Sequence, residues 1–337
     1  GSVTSSGSSN SFAIPVTLGS SGGFSHTGNG TFTVSSAIEN NGYTLNLSAT
    51  SGITLLSGII SGTGNITTGG SGTTALAAAN TYSGTTTVTG GTLAVRHSQA
   101  LGAATGVAAT GTVVTSQSAT VQLENGVSVG NELLSSTAET FGWDLRSTGA
   151  NLTNSWDGNI TSASNFEIRP TTNNRLNLNG TVSTASSSLY KFDSGVVAFN
   201  GALSNASQLY VGAGTVEANA SLTTSSSPYV ESGATLAGTG TFSWSNTGTA
   251  AVYGTISPGS GTSTGILNTD EIAFQSNANL TVQINGTTAG TQYDQLNVTG
   301  TVAVGGNLNV SVENGFTPAI GDVFTILTND GTDPISG

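Results

Sequence analysis

Along most of this chain, apolar residues alternate with polar ones. Phe12, Ile14, Val16 and Leu18 alternate first, then Phe32 and Val34, then Tyr43, Leu45 and Leu47, then Ile53 and Leu55. Residues two apart on a strand share a face, so each run predicts a short strand with one apolar side. Turn residues separate the runs: Asn40-Asn41-Gly42, Ser51-Gly52 and Ser61-Gly62. The pattern returns at Val113, at Val121 and Leu123, and at Val127 and Val129. It is regular again over 176–256, where Leu176 and Leu178 alternate with Asn177 and Asn179, and Val196, Ala198 and Val216 follow. The longest strands are expected last, on Leu280, Val282 and Ile284, on Leu308, Val310 and Val312, and on Val323, Thr325 and Leu327. Nowhere does the apolar spacing reach the helical period. Turn signals about every 8 to 12 residues suit a sandwich, a barrel or a β-helix.

One stretch organises the reading. Asn80 to Val95 reads NTYSGTTTVTGGTLAV. It holds a turn at Asn80, Ser83 and Gly84, a β-branched run from Thr85 to Val88, a second turn at Gly90-Gly91, and a strand alternating on Leu93 and Val95. So short a unit cannot bury its own apolar side and has to stack on another copy of itself. A second copy opens at Asn154-Ser155-Trp156-Asp157-Gly158-Asn159-Ile160-Thr161, with Trp in the aromatic place. Gly233 to Phe242 repeats the Gly-x-Thr-Leu order of Gly91 onward.

Composition strengthens the repetitive picture. Gly is 48 of 337 residues, Pro only 6, and charged residues 7%, against about 25% in ordinary globular chains. Hydrophobic residues are 35% and evenly spread, which suits a long thin core. Disordered tails are instead rich in charge and Pro. The net charge is −12, spread thinly enough to serve solubility. The basic residues Arg96, Arg146, Arg169, Arg175 and Lys191 form no run. Clustered cations are what phosphate contacts need, so no nucleic-acid partner is expected, nor an anionic membrane surface. No run of about 18 apolar residues occurs, so no direct membrane insertion is expected. Cysteine is absent, which excludes disulfides and thiolate metal sites.

Residues 80–95 resemble the passenger-associated repeat (autotransporter-associated β-strand repeat) of bacterial autotransporter passenger domains, which reads Asn-Thr-Tyr, then Gly-Thr-Thr, then Gly-Thr-Leu. Residues 154–161 resemble a variant of it. Gly254-Thr255-Ile256-Ser257-Pro258-Gly259 with Gly265-Ile266-Leu267, Tyr293 to Gly300, and Gly321 to Leu327 are similar to coils near passenger C-termini. The resemblance covers residues 55–337. It implies an all-β fold, a right-handed parallel β-helix (β-solenoid), exported to the bacterial cell surface at the outer-membrane exterior or secreted. In autotransporters a membrane β-barrel follows. At about 20 residues or more per coil the expectation is roughly 12 to 17 coils, with 4.8 Å between strands and a rod on the order of 60–80 Å. Residues 1–29 are expected as an N-terminal capping segment and 30–337 as a single β-helix, with irregular loops near 97–110 and 131–175.

Candidate chemistry is sparse. Gly19-Ser20-Ser21-Gly22-Gly23 matches a nucleophile elbow in letters only, since that motif must open a helix. Asp193-Ser194-Gly195 has the order of a serine-protease site, but it lacks the preceding Gly and has only His26 and His97 as bases, so a hairpin turn is the reading. The pairs Gly62/Gly64, Gly212/Gly214 and Gly238/Gly240 lack the third Gly of a dinucleotide loop. The two histidines are expected on surface turns. Asp270 and Glu271, as strand neighbours, would point to opposite faces. Glu167 and Arg169 would form an exposed ion pair. Trp143, Trp156 and Trp244 could stack on sugars but suit core or turn packing better. No catalytic, cofactor-binding or metal residue is therefore expected, and no cofactor. The expected function is a non-catalytic adhesive or structural module whose partners are cell-surface or matrix glycans or proteins, or further copies of itself. The alternative is a polysaccharide lyase or hydrolase built on the same fold.

Overall fold

A computed structural model describes residues 1–137, 143–331, 333 and 335–337. The side chain of Trp143 lies outside the described residues. Among those described there is no helix, and the strands form parallel ladders stacked as a β-solenoid. The chain divides into two compact units, Gly1–Gly180 and Thr181–Gly337.

In the first unit a strand pairs not with its successor but with the equivalent strand one coil later. On one face Ser2–Ser5, Gly22–His26, Leu45–Ala49 and Ile66–Gly70 follow in parallel register, and then Thr86–Val88, Thr112–Val114, Leu134–Ser136 and Ile160–Ser162. A second face begins at Ser9–Phe12 and ends at Phe166–Pro170. A third carries short strands early (Val16–Thr17, Ile38–Glu39, Ile60–Ser61) and late (Ser128–Val129, Thr153–Trp156, Arg175–Leu178). Between them no strand occupies residues 77–85 or 96–111. The stretch 1–29 carries the first coil and the opening strand of the second, Gly22–His26. Among the described residues, the region 131–175 carries the strands Leu134–Ser136, Trp143–Ser147, Thr153–Trp156, Ile160–Ser162 and Phe166–Pro170.

The second unit repeats the plan. Its faces begin at Val182–Ser183, Leu189–Lys191 and Val196–Phe199 and end at Leu327–Asn329, Ile335–Ser336 and Asn307–Val312. Inward side chains stack on their own equivalents. Val34, Leu56, Leu76, Val95 and Leu123 form one ladder in the first unit. Val197, Val216, Leu236, Ile256 and Leu280 form one in the second. Each such residue is buried, worth about 1.5–3 kcal/mol.

The repeat unit keeps its geometry where its letters diverge. Asn80 and Asn154 each stand six residues before the same face, at Thr86 and Ile160, which are linked in register through Thr112 and Leu134. Both asparagines are buried. Asn80 accepts from Ile60 N at 2.8 Å and donates to Ala100 O at 2.7 Å, bracing the coils on either side. Asn154 accepts from Val127 N at 2.8 Å. Gly158 must be Gly, because a Cβ there would lie 2.0 Å from Glu132 O.

Several expectations fail in register. Ile53 and Leu55 face outward, while Thr54 and Leu56 are buried. Val113 and Val196 are likewise the outward neighbours of buried Thr112, Val114 and Val197. Both faces of these runs are β-branched or apolar, so alternation alone does not choose the inner one. The strand expected from Val323 forms only at Leu327–Asn329. Leu308, Val310 and Val312 alternate as expected but remain about half exposed, at 53%, 49% and 49%, because Asn307–Val312 is the last strand of its sheet.

Candidate functional site

A row of aromatic rings on the second face of the second unit is the most distinctive surface feature. Leu189–Lys191, Leu209–Val211, Tyr229–Val230 and Ala250–Val252 succeed one another on that face. Leu189, Lys191, Leu209, Val211 and Val230 are buried, so period-two alternation turns Tyr190, Tyr210 and Tyr229 outward. These three are in direct register. Tyr253 adds a fourth rung two residues past Ala251, the partner of Tyr229. The ring centroids are 5.7 Å apart for Tyr190 and Tyr210, 5.5 Å for Tyr210 and Tyr229, and 5.3 Å for Tyr229 and Tyr253. Phe192 joins at 6.0 Å from both Tyr190 and Tyr210. The Tyr210 and Tyr229 planes are within 3° of parallel.

The polar edge of the row is set by Glu231. Tyr210 donates its phenol proton to Glu231 Oε1 at 2.5 Å. That hydrogen bond to a carboxylate, helped by partial burial and Glu231's charge, pushes the Tyr210 pKa up to about 12. Tyr229 is also raised, by desolvation and by Glu231. Both phenols therefore remain protonated at neutral pH. Beneath the row Lys191 is buried and donates to Phe192 O, Asp193 O and Ala213 O at 2.9, 2.7 and 2.8 Å. Burial lowers its pKa to about 7, with Asp193 opposing the shift. Its side chain ties two coils together and is turned away from the tyrosine surface.

Two depressions lie elsewhere in the second unit. One, of about 300 Å³, is lined by Trp244, Asp270, Glu271, Thr299, Asp330 and Asp333, with others. Asp270 and Glu271 stand in the turn before Ile272–Phe274 rather than on a strand. They therefore line one depression instead of opposite faces. Asp270 Oδ2 accepts from Trp244 N at 2.8 Å. The other depression, of about 370 Å³, is apolar and lies against the terminal strands, with Phe274, Leu280, Leu308, Leu327 and Ile335 in its lining.

The remaining candidates resolve into structural roles. Trp156 is fully buried and donates Nε1–H to Glu132 O at 2.8 Å. Trp244 is nearly buried and donates to Gly248 O at 2.6 Å. Neither presents a ring face for a sugar. His26 is not on a surface turn but fully buried on Gly22–His26, with Nδ1 3.2 Å from Ser5 Oγ and Nε2 3.1 Å from Gly30 O. His97 is half-buried, and its Nδ1 accepts from Gln99 N at 3.1 Å. Asp193, with φ +59°, makes the turn between two coil strands of a parallel solenoid, so the expected hairpin is absent there. Gly19–Gly23 leads into a strand, not a helix. Glu167 is buried, not exposed, and pairs with Arg169 at 2.6 Å.

Three buried groups carry polar atoms into the interior, and of these Glu132 had no sequence signal. Glu132 sits in the interior of the first unit, where Oε1 accepts from Thr112 at 2.8 Å and Oε2 has no partner. Desolvation raises its pKa to about 8, so it is held as the neutral acid at neutral pH. Tyr82, the aromatic of the repeat, is fully buried nearby, bonded to Thr86 Oγ1 at 2.6 Å, and its pKa is raised by burial. Asp294 is buried and accepts from Gly265 N and Gln283 N, each at 2.8 Å. The tyrosine row itself left a legible trace, since Leu189-Tyr190-Lys191, Leu209-Tyr210-Val211 and Pro228-Tyr229-Val230 recur one coil apart.

The fold defines the chain as a parallel β-solenoid, with the aromatic row on the second face of its second unit. No protein-family model matches the sequence. No curated protein is detectably similar to it either.

Proposed function

We propose that this chain is a non-catalytic adhesive module, a β-solenoid displayed on or released from the outside of a bacterial cell. The observation that carries the reading is the solvent-facing row Tyr190, Tyr210, Tyr229 and Tyr253. Aromatic rows at a surface offer large, rigid contact area with a polar handle at the end of each ring. The resemblance of residues 80–95 to passenger repeats supports the surface location. The test is binding of the purified chain to bacterial and host cells, to matrix glycans and proteins, and to itself. Binding to at least one of these supports the reading. If the folded chain binds none of them and stays monomeric, the reading fails.

The second reading is a polysaccharide lyase or hydrolase. It is favoured by the depression that gathers Asp270, Glu271, Asp330 and Asp333 beside Trp244, since glycan cleavage uses paired carboxylates. Release of reducing ends from several polysaccharides, abolished by Asp270→Asn or Glu271→Gln, would establish it in place of the first.

A further inference from the structure

We propose that the tyrosine row of the second unit binds a linear, uncharged, β-linked glycan lengthwise, one pyranose to each rung. The proposal rests on the adhesive reading and names its ligand class.

Spacing is the first argument. The rungs advance by 5.7, 5.5 and 5.3 Å, slightly more than the strand separation of about 4.8 Å that generates them. An extended β-linked glycan advances by a comparable distance per sugar, so successive pyranoses meet successive rings without strain in either chain. A ligand with a different repeat would fall out of step within a few rungs.

Ring attitude is the second. Tyr210 and Tyr229 are stacked with their planes 3° from parallel and their centroids 5.5 Å apart, while Tyr190 is tilted 46° to Tyr210 and Tyr253 is tilted 34° to Tyr229. These centroid distances and angles lie within the offset and tilted arrangements that aromatics prefer over a full sandwich. The uncovered part of a face accepts the apolar C–H side of a pyranose. The phenol oxygens and the Glu231 carboxylate stand at the rim, where sugar hydroxyls can donate and accept. Gly212 makes the surface flush: a Cβ there would lie 2.7 Å from the Phe192 ring and 2.9 Å from the Tyr210 ring. The rings settle over bare backbone at that point.

Charge selects against anionic glycans. Glu231 bonds directly to the row, and the chain carries −12 overall. Lys191 lies beneath the row, but its ammonium donates to three main-chain carbonyls and does not reach the surface. An acidic polysaccharide would meet repulsion without a compensating cation.

The experiment is calorimetric titration of the whole chain with cello- and N-acetylchito-oligosaccharides of two to six units, with oligogalacturonates of equal length as the anionic control. Affinity for at least one neutral series is expected to rise with each added sugar up to the length of the row and then level off. Tyr210→Ala and Tyr229→Ala should each weaken the longest oligomer by about tenfold. Gly212→Ala should weaken it too, by lifting the rings. Tyr210→Phe, which keeps the ring, should retain most of the binding and guards against an effect of misfolding. Tyr43→Ala, an exposed tyrosine in the first unit, should change nothing. Affinity that stops rising at the disaccharide, is indifferent to Tyr210→Ala and Tyr229→Ala, or is greater for the galacturonates overturns the proposal. Cell binding that survives while neither neutral series binds overturns the ligand class and leaves the adhesive reading standing. Loss of cell, matrix and self-binding together removes both.

Discussion

At the scale of single residues, the interior of each unit is held by a few polar side chains in an otherwise apolar stack. Asn80 satisfies the backbone of two coils at once. Asn80→Ala would strand Ile60 N and Ala100 O in a buried site, at about 1–3 kcal/mol for each unpaired group. Trp156→Ala removes the largest fully buried side chain among the described residues and is expected to cost about 3–5 kcal/mol, read as a fall in the denaturant midpoint. Glu132 and Lys191 give opposite pH signatures. The Glu132 pKa is raised from 4.5 to about 8 in the fold. The folded chain thus keeps a proton that the unfolded chain releases, and this contribution is full below 4.5 and lost as pH rises through 8. Glu132→Gln should flatten that fall between pH 4.5 and 8. The Lys191 pKa is lowered from 10.5 to about 7, so the unfolded chain binds the extra proton and stability rises with pH across that interval. Lys191→Met should remove that rise while destabilising the coil, because three carbonyls lose their donor. Urea midpoints from pH 4 to 10 measure both.

At the scale of elements, strand existence was far more legible than strand register. The run Ile53-Thr54-Leu55-Leu56 announces a strand, yet its inner face is Thr54 and Leu56. A two-residue period identifies two faces and leaves the choice to the neighbouring coil, here Thr31–Val34 and Thr73–Leu76. The same rule left the tyrosine row only partly legible, as a recurrence of letters without a face. Single tyrosines in Leu-Tyr-Lys and Leu-Tyr-Val look incidental until register lays them one over another. Trp156 and Trp244, singled out by size, went inward because the coil interior needs volume and offers Glu132 O and Gly248 O to their N–H groups. The terminal strand Asn307–Val312 has no next coil to cover it among the described residues.

At the scale of the whole molecule, stability adds up over neighbouring coils within each unit, since contacts run from one rung to the next. Low charge, abundant Gly and a spread 35% of hydrophobic residues determined that the chain would be all-β, stacked and thin-cored. The recurrence of Asn80-Thr81-Tyr82 as Asn154-Ser155-Trp156 determined where a coil brings its Asn and its aromatic inward. These properties are local or periodic, so one chain read in order contains them. What only the tertiary structure decided is which residues separated by a full coil share a face: Tyr190 with Tyr210 and Tyr229, Glu132 with Thr112, and Asp270 with Asp330. Coil lengths differ from turn to turn, as the register partners Leu203 and Leu222 and the partners Leu296 and Leu327 show. A fixed repeat cannot be counted along such a chain. The partner of each outward side chain is set instead by hydrogen-bond register between neighbouring coils and by the apolar ladder that register buries.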